Sequence, residues 1–141
     1  MTSHNLNDRK TAKKKILLVE DEGEMCLLLN LILDDDNMEI QHINTLHGAQ
    51  HMLGEKQPDL VLLDNRLPDG LGFDFISYIK STCPGTKVIM MSGVDVAAAD
   101  SAIEAGADAF LAKPFNRSTL KASLHEILYE TGPDRKPVAQ V

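Results

Sequence analysis

Two cysteines in 141 residues are too few and too far apart for a disulfide framework or a clustered metal or redox motif. Cys26 falls in an apolar helical pattern and Cys83 precedes Pro84 in a loop, so both are read as reduced thiols. Long hydrophobic runs are also missing. The densest stretch, Met25 to Leu33, is broken by Asn30 and is too short to span a membrane. The N-terminus is polar and then basic, without the apolar core of a secretion signal, so the expectation is a cytoplasmic protein with no membrane partner. Positive charge is scarce beyond the leader. Five bases against Asp8 give residues 1–15 a net of +4, and of the formal −7 the remaining chain therefore carries −11. So acidic a body argues against direct nucleic-acid binding by a folded face. The basic run itself has no interleaved aromatic residues and is read as a solvated leader.

The remaining composition, 43% hydrophobic and 25% charged, is that of one globular domain with a real core. Residues 1–14 are expected as a disordered basic leader, 15–131 as the domain and 132–141 as a polar tail. Within the domain, short apolar runs alternate with helical patterns. Strands are expected at 15–19, 38–43 (an edge candidate), 59–63, 87–91 and 109–112. Helices are expected at 24–33, 46–56, around Phe73 to Ile79, at 95–105, and along the stripe Leu120, Leu124, Ile127 and Leu128, with Asn116 as N-cap and Gly132 as stop. Pro68-Asp69-Gly70 reads as a turn, and Asp34-Asp35-Asp36 as a solvated one. Five strand–helix units with right-handed crossovers make a three-layer α/β/α sandwich around a parallel sheet. Two strand orders remain open; in either, the first and third strand ends come together if those strands are neighbours.

The chemistry sits just after the apolar runs. Ile16-Leu17-Leu18-Val19 leads to Glu20 and Asp21, Leu60-Val61-Leu62-Leu63 to Asp64, Val88-Ile89-Met90-Met91 to Ser92, and Ala109-Phe110-Leu111-Ala112 to Lys113. In doubly covered parallel sheets the ligand crevice lies outside the carboxyl ends of the strands. Four strand ends would thus deliver carboxylates, a hydroxyl and an ammonium to one edge, the makings of a magnesium and phosphoryl site. Singly, each of these residues more often serves a turn or a cap. Together they favour function.

Four blocks of the chain resemble the CheY-like receiver domain of response regulators in two-component signalling. They are Ile16 to Glu22, Leu62 to Gly70, Met90-Met91-Ser92-Gly93 and Ala105 to Phe115. The resemblance covers about residues 15–131 and implies a flavodoxin-like fold with a five-stranded parallel sheet of order 2-1-3-4-5. It implies Asp64 as phosphoacceptor from a phosphohistidine, supplied by a sensor histidine kinase or phosphotransfer protein. Mg²⁺ would be held by Asp21 directly, Glu20 through water, Asp64, and the backbone carbonyl of Arg66. Lys113 and Ser92 would bind phosphoryl oxygens, and Ser92 and Phe110 would form the switch. The first acidic pair is Glu-Asp rather than Asp-Asp, and Phe110 has no hydroxyl to offer a signalling step. Arg66 is placed to shield an acyl phosphate from water.

The implied role is a phosphorylation-controlled switch, not a metabolic enzyme. Its output face would be the fourth helix, fifth strand and fifth helix, used for a partner or a homodimer. Ala97, Ala98, Ala99 and Ala102 are expected to leave a shallow surface there, beside Phe110 and flanked by Arg117 and Lys121. A phosphate relay or sink, or a receiver cut from a longer regulator with a DNA-binding or enzymatic output domain, are the alternatives. A haloacid-dehalogenase-type phosphatase would need a second Asp where Arg66 stands. A flavin carrier would need backbone donors and hydroxyls where Glu20-Asp21-Glu22 would repel its phosphate. His47 and His51, four apart, make no metal site without a third ligand. His4, His42 and His125 have no evident partner in the sequence.

Overall fold

The computed structural model describes residues 13–140 except 24, 26, 28, 31–37, 94–95 and 130–137. Five parallel strands form its centre: β1 (Lys14–Val19), β2 (Met38–Ile43), β3 (Leu60–Asp64), β6 (Lys87–Gly93) and β7 (Ala109–Lys113). They lie in the order β2-β1-β3-β6-β7, the flavodoxin-like order 2-1-3-4-5 expected for the five main strands. Helices α1 (Leu46–Glu55), α2 (Gly72–Thr82), α3 (Val96–Glu104) and α4 (Arg117–Tyr129) connect or follow the strands. Residues 23, 25, 27, 29 and 30 are also helical.

The period-two alternation of each strand sends its side chains into two separate cores. Leu17, Val19, Val61, Leu63, Val88, Met90 and Phe110 face one side, where Ala49 and Leu53 of α1, Phe75, Ile76 and Ile79 of α2, and Ala99 and Ala102 of α3 cover them. Ile16, Leu18, Leu60, Leu62, Ile89, Met91 and Leu111 face the other, under Leu29 and the α4 stripe of Leu120, Leu124, Ile127 and Leu128. Burial on both faces explains why these strands read as continuous apolar runs. It also fixes their register, since a slip of one residue would exchange the two cores.

Several expectations change in detail. Residues 66–71 are more than a turn: β4 (Arg66–Leu67) and β5 (Gly70–Leu71) form a two-stranded antiparallel hairpin. A sixth strand, β8 (Val138–Gln140), pairs in parallel with β7 at the sheet edge, inside the stretch expected as a polar tail. Ala99 and Ala102 are buried core residues, not part of a shallow surface, because α3 packs its small residues onto the sheet beside Phe110. Cys83 is buried at the end of α2, and burial pushes its thiol up from the ordinary value. The leader to residue 12, the Asp34–Asp36 turn, Cys26 and Gly132 lie outside the described residues.

The helix starts are held by specific acceptors. Thr45 Oγ1 accepts the Gly48 N–H at 3.0 Å, and Asn116 Oδ1 accepts the Thr119 N–H at 2.8 Å. The Asp69 carboxylate accepts the Leu46 and His47 N–H groups at 2.8 and 2.9 Å, tying the hairpin to the first turn of α1. Those two backbone donors hold its carboxyl below the ordinary range.

The start of α2 bears most closely on Asp64. Gly72 donates its N–H to the Asn65 carbonyl at 2.7 Å, and Phe73 donates to Asn65 Oδ1 at 3.0 Å. A Cβ on Gly72 would lie 2.2 Å from the Asp64 carbonyl oxygen and 3.0 Å from Leu63 Cγ. Helix propensity alone would make Gly72→Ala stabilising by about 0.5–1 kcal/mol. The backbone collision should reverse that sign, giving a urea midpoint below that of the wild-type protein. A raised midpoint would show that α2 can move away from Asp64 without loss.

Candidate functional site

Because β1, β3, β6 and β7 run parallel and adjacent, their carboxyl ends share one edge. Glu20 and Asp21 follow β1, Asp64 closes β3, Ser92 lies near the end of β6, and Lys113 closes β7. The next residue after Asp64 remains tied to the sheet, with the Asn65 N–H donating to the Met91 carbonyl at 3.1 Å. A cleft of about 650 Å³ opens at this edge, lined by Asp21, Asp64, Arg66, Ser92 and Lys113 together with Ala98 of α3.

Glu20, Asp21 and Asp64 each turn a carboxylate oxygen to a point where all three lie within 4.8 Å of one another. Glu20 is 0% exposed and Asp64 6% exposed, whereas Asp21 is open to solvent. Lys113 Nζ donates to Asp64 Oδ1 at 2.7 Å and to Glu20 Oε1 at 3.3 Å. The other Glu20 oxygen accepts the Glu22 N–H at 3.2 Å. Burial pushes the Glu20 carboxyl above its ordinary value and the Asp64 charge adds to this, outweighing the lowering by the Glu22 N–H and Lys113. For Lys113, burial alone would lower the ammonium's pKa. Its hydrogen bond and charge interaction with Asp64, followed by those with Glu20, leave it raised instead.

Three carboxylates against one ammonium leave the cluster short of positive charge. Its donors are hard oxygens, with no imidazole or thiolate in the group, which suits Mg²⁺ better than zinc or copper. Glu20 already spends both oxygens on protein donors, while exposed Asp21 faces the cleft. His47 and His51 join no such three-ligand group among the described residues, and His51 Nε2 lies 3.6 Å from Glu55 Oε2.

The remaining expected residues fall into two sets. Ser92 is half-buried at the cleft, its Oγ donating to the neighbouring Gly93 carbonyl at 3.0 Å, and Arg66 is exposed on the cleft wall. Phe110 is elsewhere: it is 0% exposed and packed in the core with Ala99 and Ala102. Sequence reasoning missed the supporting groups. Asn65 and Gly72 brace the Asp64 turn, and His42 Nε2 lies 2.6 Å from the Glu20 carbonyl oxygen. No local spacing signals these contacts, because each joins separate elements.

The raised Glu20 carboxyl has a stability consequence with a definite sign. The folded metal-free protein holds the Glu20 proton more tightly than the unfolded chain does. Its contribution is therefore present below the ordinary value of 4.5 and is lost as pH rises through the higher folded value. Glu20→Gln should make the metal-free protein more stable at neutral pH and flatten that fall, as measured by thermal unfolding across pH. Lower stability of the variant at neutral pH would show that Lys113 more than repays the burial of this charge.

Comparison with known proteins agrees with this arrangement. A family model described as the response regulator receiver domain matches residues 16–125. The KDP operon transcriptional regulatory protein KdpE of Escherichia coli is 32% identical over 123 residues, a match covering 84% of this chain and 55% of KdpE. This chain thus spans about half the length of that relative. The solved receiver domain of a LuxO repressor protein from Vibrio parahaemolyticus is 32% identical, with a TM-score of 0.79, covering 84% of this chain and 92% of that one. The beryllofluoride-activated NtrC4 receiver domain dimer is also 32% identical, with a TM-score of 0.78, covering 82% of this chain and 97% of that one. The chain belongs to the response-regulator receiver family of two-component systems.

Proposed function

We propose that the chain is a phosphorylation-controlled switch that takes a phosphoryl group from a phosphohistidine onto Asp64 in the presence of Mg²⁺. The observation that carries this reading is the Asp64 carboxylate at the cleft, 2.7 Å from Lys113 and clustered with Glu20 and Asp21. A carboxylate oxygen of Asp64 attacks phosphorus, the P–N bond of the donor breaks, and the histidine nitrogen keeps the electron pair. The product is a mixed carboxylic–phosphoric anhydride on Asp64. Asp21, Asp64 and the Arg66 carbonyl would hold the metal ion, with Glu20 acting through water. Bound there, Mg²⁺ would neutralise the acidic cluster and the charge of the incoming phosphoryl oxygens.

Lys113 then exchanges the Asp64 carboxylate for a phosphoryl oxygen, acting as a point charge. Ser92 gives up its bond to the adjacent Gly93 carbonyl and donates to a second phosphoryl oxygen. Its movement toward the phosphoryl group opens space on the β6 side, and Phe110 repacks against α3. This is a two-state shift biased by a local charge. The chain catalyses only its own modification and hydrolysis. Output passes through α3, β7 and α4 to a partner protein or a second copy. The dimeric state of the activated NtrC4 receiver supports the second copy, which would meet β8 along β7 on this face. Work in the cytoplasm belongs to the same proposal, since a histidine kinase draws its phosphoryl group from ATP.

Incubation of the purified chain with acetyl phosphate and Mg²⁺ should add one phosphoryl group by intact mass. Chelation of the metal or Asp64→Ala should abolish the gain. A phosphoryl group mapped to a histidine would contradict the assignment. Asp21→Asn should weaken Mg²⁺ binding about 10–100-fold and slow phosphorylation, whereas Glu20→Gln should cost less, because its oxygens are taken by Lys113 and Glu22. Calorimetric Mg²⁺ titration ranks the two variants, and equal or reversed losses would overturn the direct role of Asp21.

A further inference from the structure

The β1–β2 ladder stops just short of the acidic pair. Its last register pair is Val19 with Ile43, and one further backbone bond runs from the Glu20 N–H to the Ile43 carbonyl at 3.1 Å. The Glu20 carbonyl comes next, past the last register pair of the ladder. A carbonyl at such a place can accept from a side-chain donor. His42, one residue before the end of β2, supplies it: Nε2 lies 2.6 Å from the Glu20 carbonyl oxygen. A carbonyl can only accept, so Nε2 carries the proton in this contact.

The place of this bond gives it a consequence beyond tying two strands. The Glu20 carbonyl belongs to the peptide that leads into Asp21, and its orientation sets where the Asp21 carboxylate projects. Two consecutive residues of the edge strand hold this turn, Ile43 through the Glu20 N–H and His42 through the Glu20 carbonyl. Glu20 itself is anchored in the core by Lys113 and by the Glu22 N–H. Asp21 is solvent-exposed and depends on the backbone to stay aimed at the cleft. Groups that orient metal ligands without touching the ion commonly govern affinity by 10–100-fold.

We infer that His42 is a positioning residue for the metal site: its Nε2–H fixes the Glu20–Asp21 peptide and thereby the aim of the Asp21 carboxylate. This rests on the Mg²⁺ reading proposed above. The contact comes from the exposed edge of the sheet, so a substitution at His42 reaches the metal end without removing any carboxylate or Lys113.

The test is calorimetric Mg²⁺ titration of the full chain as wild type, His42→Phe and His42→Gln, with metal-free thermal unfolding of each. Phenylalanine keeps a ring suited to a strand but removes the donor; glutamine restores an N–H at similar reach. The expected result is a Kd about tenfold weaker for His42→Phe, recovered most of the way by His42→Gln, with a slower acetyl phosphate reaction following the Kd. A role confined to strand stability would lower the metal-free melting temperature of His42→Phe and leave its Mg²⁺ affinity at the wild-type value, which overturns the inference. Equal weakening in both variants also overturns it, since donation would then not matter. If the wild-type chain itself binds no Mg²⁺, the metal reading fails, and the positioning role fails with it.

Discussion

The site depends on one ammonium group. Lys113 Nζ, 2.7 Å from Asp64 and 3.3 Å from Glu20, is what allows two carboxylates to sit almost wholly out of water at the end of a hydrophobic sheet. Unpaired, each buried charge would cost several kcal/mol. With the pair in place the cluster still carries more negative than positive charge, so it is stable enough to fold yet favours a further cation. The two demands pull against each other, as the raised Glu20 carboxyl and the raised Lys113 ammonium record. Under the proposed function, an added phosphoryl group would change which partner Lys113 holds.

The sheet makes this arrangement possible by keeping its chemistry at chain positions where the core ends. Strand residues up to Val19, Leu63, Met91 and Leu111 are committed to two apolar layers. The residues immediately beyond them are released from packing while their backbones remain anchored. Asp64 shows how tightly that anchorage is drawn: Asn65 bonds to the Met91 carbonyl, and the first residue of α2 comes so close to the Asp64 carbonyl that only glycine fits. The remote hairpin contributes as well, with Asp69 stitching the segment after Asp64 to the start of α1. On the far side of the sheet edge, Phe110 and the α3 alanines share one packed cluster. Ser92 and Ala98 line the cleft while Ala99, Ala102 and Met90 share the core cluster of Phe110, so α3 and β6 border both the cleft and the core behind it.

The layout was legible in the sequence wherever burial on both sheet faces imposed an apolar run. Ile16 to Val19, Leu60 to Leu63 and Val88 to Met91 announce their strands, and the polar residue that ends each run marks the crevice. The candidate site residues were readable for that reason. Contacts between elements distant in sequence were not. Nothing around His42 indicates that its ring meets the Glu20 carbonyl, and nothing around Asp69 indicates that it caps a helix 23 residues earlier. The hairpin at 66–71 and the edge strand at 138–140 were missed because two or three residues carry no periodicity, and such pairing is decided by the neighbouring strand. The alanines of α3 misled in the opposite direction. Small side chains suggest a shallow exposed surface, yet Ala99 and Ala102 are buried because they let the helix approach the sheet closely.

In the proposed function Asp64 would carry the phosphoryl group as an acyl phosphate. Sodium borohydride reduction of the phosphorylated chain addresses it chemically, since hydride displaces phosphate from an acyl phosphate and leaves an alcohol where the carboxylate stood. Peptide mass mapping should then find homoserine in place of Asp64, with Glu20, Asp21 and Asp69 unchanged. Reduction at another carboxylate, or phosphorylated protein in which Asp64 survives the treatment intact, would contradict the assignment of Asp64 as phosphoacceptor.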